Sequence, residues 1–294
     1  MQTNNFNGII PIKKELDFTS NDVVAKLRGI LHMRKIGHTG TLDPQATGVL
    51  PVCLGRGTKL VNLLTDTDKT YHCVARLGIT TDTEDIQGTI TGEFDASSVT
   101  EGALRDTVLS FIGDYSQIPP MYSAKKVGGK KLYEMAREGK VIERKPCDVK
   151  ILGIENLEIN LPEFSFDVSC SKGTYIRSLC RDIGEKLGCG ATMISLVRTR
   201  AGGFDLDEAI TLDECEKLMQ EGRIEEKILP MDRVFDDCKS FVISGEIEKK
   251  VRNGNSFKIK KPDGRYRVYL ESGEFAAVYD IRGGIAKICG YFLT

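Results

Sequence analysis

The sequence predicts a strand-rich α/β (α+β) chain with a small β-rich domain at its end. Three observations predict it. Short runs of β-branched and aromatic residues recur along the chain, a few segments with apolar residues at helical spacing stand between them, and beyond about residue 240 strand-like runs dominate. The 294 residues, 40% hydrophobic and 28% charged, hold enough material for a core and for two domains, with the boundary expected between Pro230 and Ser240.

Residues 8–12 form a short apolar run that reads as a strand. Thr19-Ser20-Asn21-Asp22 then offers N-cap side chains for a helix through about Leu31, because such side chains accept from the N–H groups that a helix start leaves unpaired. Residues 49–54 are apolar enough for a buried strand. Residues 69–78, with Tyr71, Val74 and Leu77, read as another; 81–85 is a polar turn, and 86–94 the strand after it. Residues 100–111 read as a helix. The stretch 117–145 sets Pro119-Pro120 and Gly128-Gly129 around a short helical pattern at 132–138, and is expected to be a long excursion from the core. Strands resume at 148–159 and 164–170. A helix over 175–187 follows Gly173-Thr174 and ends at Gly188, burying Ile176, Leu179, Ile183 and Leu187; Arg177 and Arg181 fall on another side, where Arg181 is expected at the solvent or paired on the surface. Residues 193–200 form a further strand, and Thr211-x-x-Glu214 is a capping box for a helix through about Met219. In the tail, 257–259, 265–271, 274–281 and 285–292 read as strands.

Composition excludes several classes. No window offers the roughly 20 apolar residues of a membrane span, and the polar start Met-Gln-Thr-Asn-Asn lacks the plan of a secretory signal, so no membrane partner and a cytoplasmic location are expected. The nine cysteines stand singly, without a Cys-x-x-Cys pair, and are expected to be reduced and mostly buried. His32, His38 and His72 are the only histidines and show no His-Glu-x-x-His spacing, so no metal is expected. The net charge of −1 is unevenly spread: residues 117–145 carry eight cations against three acids, and 240–294 carry ten against six. Two basic patches on an acidic body are the footprint of a nucleic-acid binder.

Chemistry concentrates at Gly37-His38-Thr39-Gly40-Thr41-Leu42-Asp43-Pro44. Two glycines permit a sharp turn and Pro44 restrains Asp43 toward extended backbone, so the loop presents a carboxylate beside an imidazole. An ordinary Asp-Pro turn, with the carboxylate bonded to its own backbone, fits the local pattern equally well.

That loop, continuing through Ala46-Thr47-Gly48-Val49-Leu50-Pro51-Val52-Cys53-Leu54-Gly55 and Thr58-Lys59, resembles the signature of the TruB-type tRNA pseudouridine-55 synthases. In the same order come Lys69-Thr70-Tyr71, Gly78-x-x-Thr81-Asp82-Thr83-x-Asp85-x-x-Gly88, Gln117-Ile118-Pro119-Pro120-Met121-Tyr122-Ser123-Ala124, Ser171-Lys172-Gly173-Thr174-Tyr175-Ile176-Arg177 and Leu196-x-Arg198-Thr199. The resemblance covers roughly residues 8–204, and the tail is similar in pattern to a PUA-type RNA-binding domain.

The resemblance implies a catalytic domain over 1–235, with a central mixed, mainly antiparallel sheet flanked by helices and a basic RNA-binding insertion at about 117–145, and a PUA-like domain over 240–294. It implies isomerisation of uridine-55 in the tRNA T-loop, with tRNA (T-loop and acceptor region) as partner, no cofactor and a monomeric enzyme. Asp43 is then the nucleophile or base, and must be ionised. Burial would raise its pKa, so a cation is needed beside it, and Arg177 is the matching candidate, with Asp85 on its other side unless Asp85 only caps its turn. Tyr71 packs on the target base and acts at the sugar; Tyr175 and Leu196 complete the base pocket. His38 fills the space vacated by the flipped nucleotide, Lys59 is a further substrate contact, and Lys125, Lys126, Lys130, Lys131 and Arg137 serve the insertion's RNA binding. A non-catalytic RNA-folding protein and a glycosidase-like enzyme are the other classes weighed.

Overall fold

The computed structural model describes residues 4–140 and 142–293. Its centre is a nine-stranded mixed sheet. The main path runs Gly8–Lys14, Ala46–Leu54, Ala191–Ala201, Lys69–Leu77, Glu163–Cys170, Cys147–Asn160, Gly113–Gln117. Every pairing on this path is antiparallel except that of Ala46–Leu54 with Ala191–Ala201.

Period-2 patterning explains the sheet's covered face. In Lys69–Leu77 the residues Lys69, Tyr71, Cys73, Ala75 and Leu77 all turn inward. Cys73, Ala75 and Leu77 meet Phe164, Phe166, Val168, Ala191 and Met193 from neighbouring strands, under a lid of Leu104 and Val108 from the helix Glu101–Leu109 and Leu179 and Ile183 from Ile176–Leu187. A second core joins the first strand to the helix Ser20–Ile30.

Local signals end the helices where expected. Thr19 and Asp22 cap one another at the first helix, Thr211 and Glu214 do so at Leu212–Gln220, and Gly188, with φ +74, closes Ile176–Leu187. The strand expected over 86–94 is shorter. It covers only Ile90–Glu93, paired with Ile79–Thr81, because Asp82 and Asp85 take backbone N–H groups of Thr89 and Gln87 and hold the preceding residues as a turn. Two short strands, Ile36–His38 and Gly113–Gln117, carry too little alternation to be read from sequence.

Within 117–145, the residues Lys126–Val127 and Lys130–Lys131 pair as a hairpin through Gly128-Gly129, both at positive φ, and lead into the helix Leu132–Arg137. The C-terminal part is a five-stranded sheet from Lys239–Ile243 to Ile285–Tyr291, with the helix Gly245–Arg252 on it. That helix escaped the sequence reading because it is short, five of its eight residues are charged, and it buries only Val251 fully. Among the described residues, no helix is long and apolar enough to cross a membrane.

Candidate active site

Sheet register assembles the site. Tyr71 lies directly opposite Arg198, and Leu196 lies opposite Cys73 on one side and Ala46 on the other. The Asp43 loop enters the same end of the sheet just before Ala46. Gly40 turns it at φ +97; Thr39 is tied to the carbonyl of Pro51 by its N–H and its hydroxyl, and the Leu42 N–H donates to Ser20 Oγ at 2.9 Å. The helix Ile176–Leu187 points its first turn at the loop. Its N-cap, Tyr175, exchanges two hydrogen bonds with the Gln117 side amide, at 2.8 and 2.9 Å.

Arg177 is the centre of the arrangement. Nη2 lies 2.7 Å from Asp43 Oδ2 and donates to the Tyr122 carbonyl at 2.8 Å; Nη1 donates to the Thr83 carbonyl at 2.7 Å and lies 3.7 Å from Asp85 Oδ2. The guanidinium is nearly buried, whereas the Asp43 side chain keeps 41% of its surface open. Asp43 is therefore not buried but stands at the rim of a cavity of about 550 Å³. Asp85 fills both roles considered for it. Its Oδ1 accepts from Thr83 Oγ1 and the Gln87 N–H within the turn, while Oδ2 faces Arg177.

Tyr71, Tyr175, Leu196, Lys69, Arg198 and Lys125 line the cavity along with Asp43. Burial pushes the phenols of Tyr71 and Tyr175 up, and at Tyr71 the Arg198 guanidinium opposes that rise. His38 is not among the lining residues. It sits on the short strand Ile36–His38, its Nδ1 is buried without a hydrogen-bond partner, and burial, with Arg198 nearby, holds its pKa below the usual value. Of the insertion cations, Lys125 reaches the cavity, where its ammonium meets Cys147, while Lys126, Lys130 and Arg137 are exposed and Lys131 leans on the Tyr133 ring.

Two expectations are corrected by position. Lys59 does not face the cavity: its ammonium donates to the Leu293 carbonyl at 3.2 Å and lies over the Tyr291 ring, because the helical turn Gly55–Leu60 packs against the C-terminal sheet. Arg181 is not a surface residue. It bonds Glu84, Asp182 Oδ1 at 2.7 Å and the Ile118 carbonyl at 3.1 Å, joining the Asp85 turn to the base of the insertion.

Sequence reasoning assigned no role to three buried cations around the loop. Lys14 donates to the carbonyls of Glu15, Phe18 and Pro44, and burial lowers its pKa to about 8 against the opposing pull of Asp43. Lys69 donates to the carbonyls of Thr65 and Thr67. Arg198 donates to those of Val49 and Gly40. Lys69 and Arg198 stand inside the Lys69-Thr70-Tyr71 and Leu196-x-Arg198-Thr199 motifs, so a signal existed; Lys14, at the end of an apolar strand, offered only its oddity as a cation there.

Known proteins resemble this chain over most of its length. A family model described as "TruB family pseudouridylate synthase (N terminal domain)" matches residues 28–176, and one described as "tRNA pseudouridylate synthase B C-terminal domain" matches 177–236. A tRNA pseudouridine synthase B of Alkaliphilus oremlandii is 50% identical over 249 residues, 85% of this chain and 82% of that protein. Another, of Bacillus pumilus, is 44% identical over 285 residues, 93% of this chain and 92% of that protein. Among solved structures, a chain of a Cbf5–Nop10–Gar1 complex superposes with a TM-score of 0.73 at 26% identity, covering 98% of this chain and 85% of that one. The chain therefore belongs to the TruB family of pseudouridylate synthases.

Proposed function

We propose that the protein isomerises uridine-55 in the T-loop of tRNA to pseudouridine. The observation that carries this reading is the Asp43 carboxylate, held by the Arg177 guanidinium at 2.7 Å on the rim of a cavity lined by Tyr71, Tyr175 and Leu196. At about 550 Å³ the cavity falls in the range of small-molecule sites, roughly 300–1,000 Å³. Asp43, which lines it, keeps 41% of its side chain exposed, which suits a nucleotide delivered from outside.

The chemistry needs one ionised carboxylate and a pocket that holds uracil while its bond to the sugar is remade. The N1–C1′ bond breaks, the base turns, C5 joins C1′, N1 gains a proton and C5 loses one. The change is an isomerisation with no net redox demand, so no cofactor is required. Leaving the loop stack costs the nucleotide a few kcal/mol, which interactions in the pocket must offset. Tyr71 and Leu196 offer flat and apolar surfaces to the base, and Tyr71 also carries a hydroxyl toward the sugar. As the nucleotide enters, water is displaced from Asp43, and desolvation disfavours the charged form. The fixed guanidinium of Arg177 remains paired with the carboxylate, 2.7 Å away, through that change. The role proposed for His38 is to take the position the flipped base leaves; the residue is half-buried beside the loop, with its Nδ1 short of a hydrogen-bond partner.

Binding is assigned to two surfaces. The 117–145 insertion covers the T-loop beside the cavity, and the C-terminal sheet, read as a PUA-like unit over 240–294, holds a more distant part of the tRNA. Lys249, Lys250, Lys258 and Lys260 are candidates for phosphate neutralisation there. A cytoplasmic monomer completes the reading.

Asp43→Asn tests it. The variant is expected to retain tRNA binding and to release no tritium from C5-labelled uridine in tRNA. Pseudouridine formation by Asp43→Asn at a rate comparable to the unsubstituted protein would remove the carboxylate from the reaction. Tritium release by the unsubstituted protein also separates an isomerase from a protein that only refolds tRNA.

A further inference from the structure

Arg198 is a buried charge without a counter-ion. The residue is 1% exposed, and among the described residues no carboxylate lies within 4.0 Å of its guanidinium nitrogens. Isolated buried cations are costly, and structures retain them where the charge has a use. Its N–H groups are directed. Nε donates to the Val49 carbonyl at 2.9 Å and Nη2 reaches the Gly40 carbonyl at 3.4 Å, so the planar fork is fixed against the strand that follows the Asp43 loop and against the loop's own turn. The remaining direction is across the sheet. Arg198 and Tyr71 are partners in the antiparallel register, which brings their side chains together on the cavity face and sets the guanidinium charge beside the phenol. The register shift between Arg198 and Arg200 keeps Arg200 off this face: Arg200 points outward to Asp205.

We propose that Arg198 is a positioning residue for the isomerisation: its guanidinium, bolted to the catalytic loop, fixes the Tyr71 hydroxyl in the orientation in which that oxygen meets the sugar of the target uridine. The inference rests on the reading of Tyr71 given above. The titratable groups that act on the phenol are Arg198, the Cys170 thiol and Asp43; burial raises the phenol, and the positive charge of Arg198 draws it back down. A lysine at 198 would keep a cation but lose the fork that reaches two carbonyls at once and holds the charge beside the phenol.

A double-mutant cycle in the full-length protein tests this, with single-turnover and steady-state kinetics on tRNA transcript. Arg198→Lys is expected to lower kcat roughly 10–100-fold, the equivalent of one missing hydrogen bond from a charged donor, with KM for tRNA within about twofold of the parent. Arg198→Met should fall further. Tyr71→Phe should be impaired by itself, and Arg198→Lys added to Tyr71→Phe should cost less than about threefold more, because the hydroxyl it orients is gone. An undiminished further loss in the double variant would overturn the proposal while leaving the role of Tyr71 standing. So would near-parental kcat in Arg198→Lys, a loss expressed in KM, or a failure of Arg198→Lys to fold, which would make the residue purely structural. Full activity of Tyr71→Phe would overturn the reading of Tyr71 and the proposal with it.

Discussion

At Asp43, Arg177 and Asp85, single side chains serve two purposes at once. Arg177 donates to two backbone carbonyls and still meets two carboxylates, so its orientation is fixed before substrate arrives. Lys14 shows the cost of such preparation. Completely buried, it braces the loop by donating to Pro44, Phe18 and Glu15, and burial brings its pKa from 10.5 to about 8. The unfolded chain then binds more protons than the folded one between pH 8 and 10.5. Below pH 8 the penalty of burying the ammonium is present in full, and stability rises as pH climbs through that window, by at most about 3 kcal/mol. Lys14→Met is expected to remove this component of the rise and, by leaving three carbonyls unpaired, to be less stable at pH 7 by about 1–3 kcal/mol. Denaturant titrations of both proteins from pH 7 to 10.5 measure it; parallel pH curves would contradict the assignment to Lys14.

Among the elements, the helix Ile176–Leu187 and the 117–145 insertion decide how the site is held. Apolar spacing correctly identified the helix's buried face, yet Arg181 on its other side lies in a network with Glu84, Ser178 and Asp182. Helical periodicity reports a stripe facing the sheet; it is silent about a turn and an excursion closing over the opposite face. The insertion's exposed cations, Lys126, Lys130 and Arg137, lie outside the cavity, where phosphates rather than the target base would be met. Charge reversal at Lys126 and Lys130 is expected to weaken tRNA binding at low salt and to reduce the slope of log K against log salt by about 0.7–0.9 for each phosphate that is no longer neutralised. Filter binding between roughly 50 and 200 mM salt reads the slope, and an unchanged slope would take these lysines out of the interface.

Across the whole molecule, an aromatic cluster joins the C-terminal sheet to the catalytic body. Phe235 lies 6.1 Å from Phe275 and 6.0 Å from Phe292, and those two stack at 4.9 Å. Arg56–Glu274, Arg267–Asp236 and the Lys59–Leu293 hydrogen bond surround it. The two-surface binding proposed above requires a fixed spacing, and this packing supplies it. Phe292→Ala, at a residue 2% exposed, is expected to cost about 3–5 kcal/mol and to separate thermal unfolding into two transitions, with kcat on a short T-loop stem less affected than affinity for full tRNA. Calorimetry showing one unshifted transition would count against the cluster as the coupling.

Local stretches of chain were enough to specify the strand-rich class, the capped helix ends, the Asp43 loop and the basic insertion, because each depends on residues near one another: a period, a cap, a Gly-Pro turn, a run of lysines. Which distant groups meet was left to the folded molecule. The pairing of Tyr71 with Arg198 follows from strand register, the spanning of Asp43 and Asp85 by Arg177 from where one helix starts, and the position of Lys59 from the docking of a sheet far along the chain. Register and docking are settled by burial summed over whole elements, and no local stretch of sequence carries that sum.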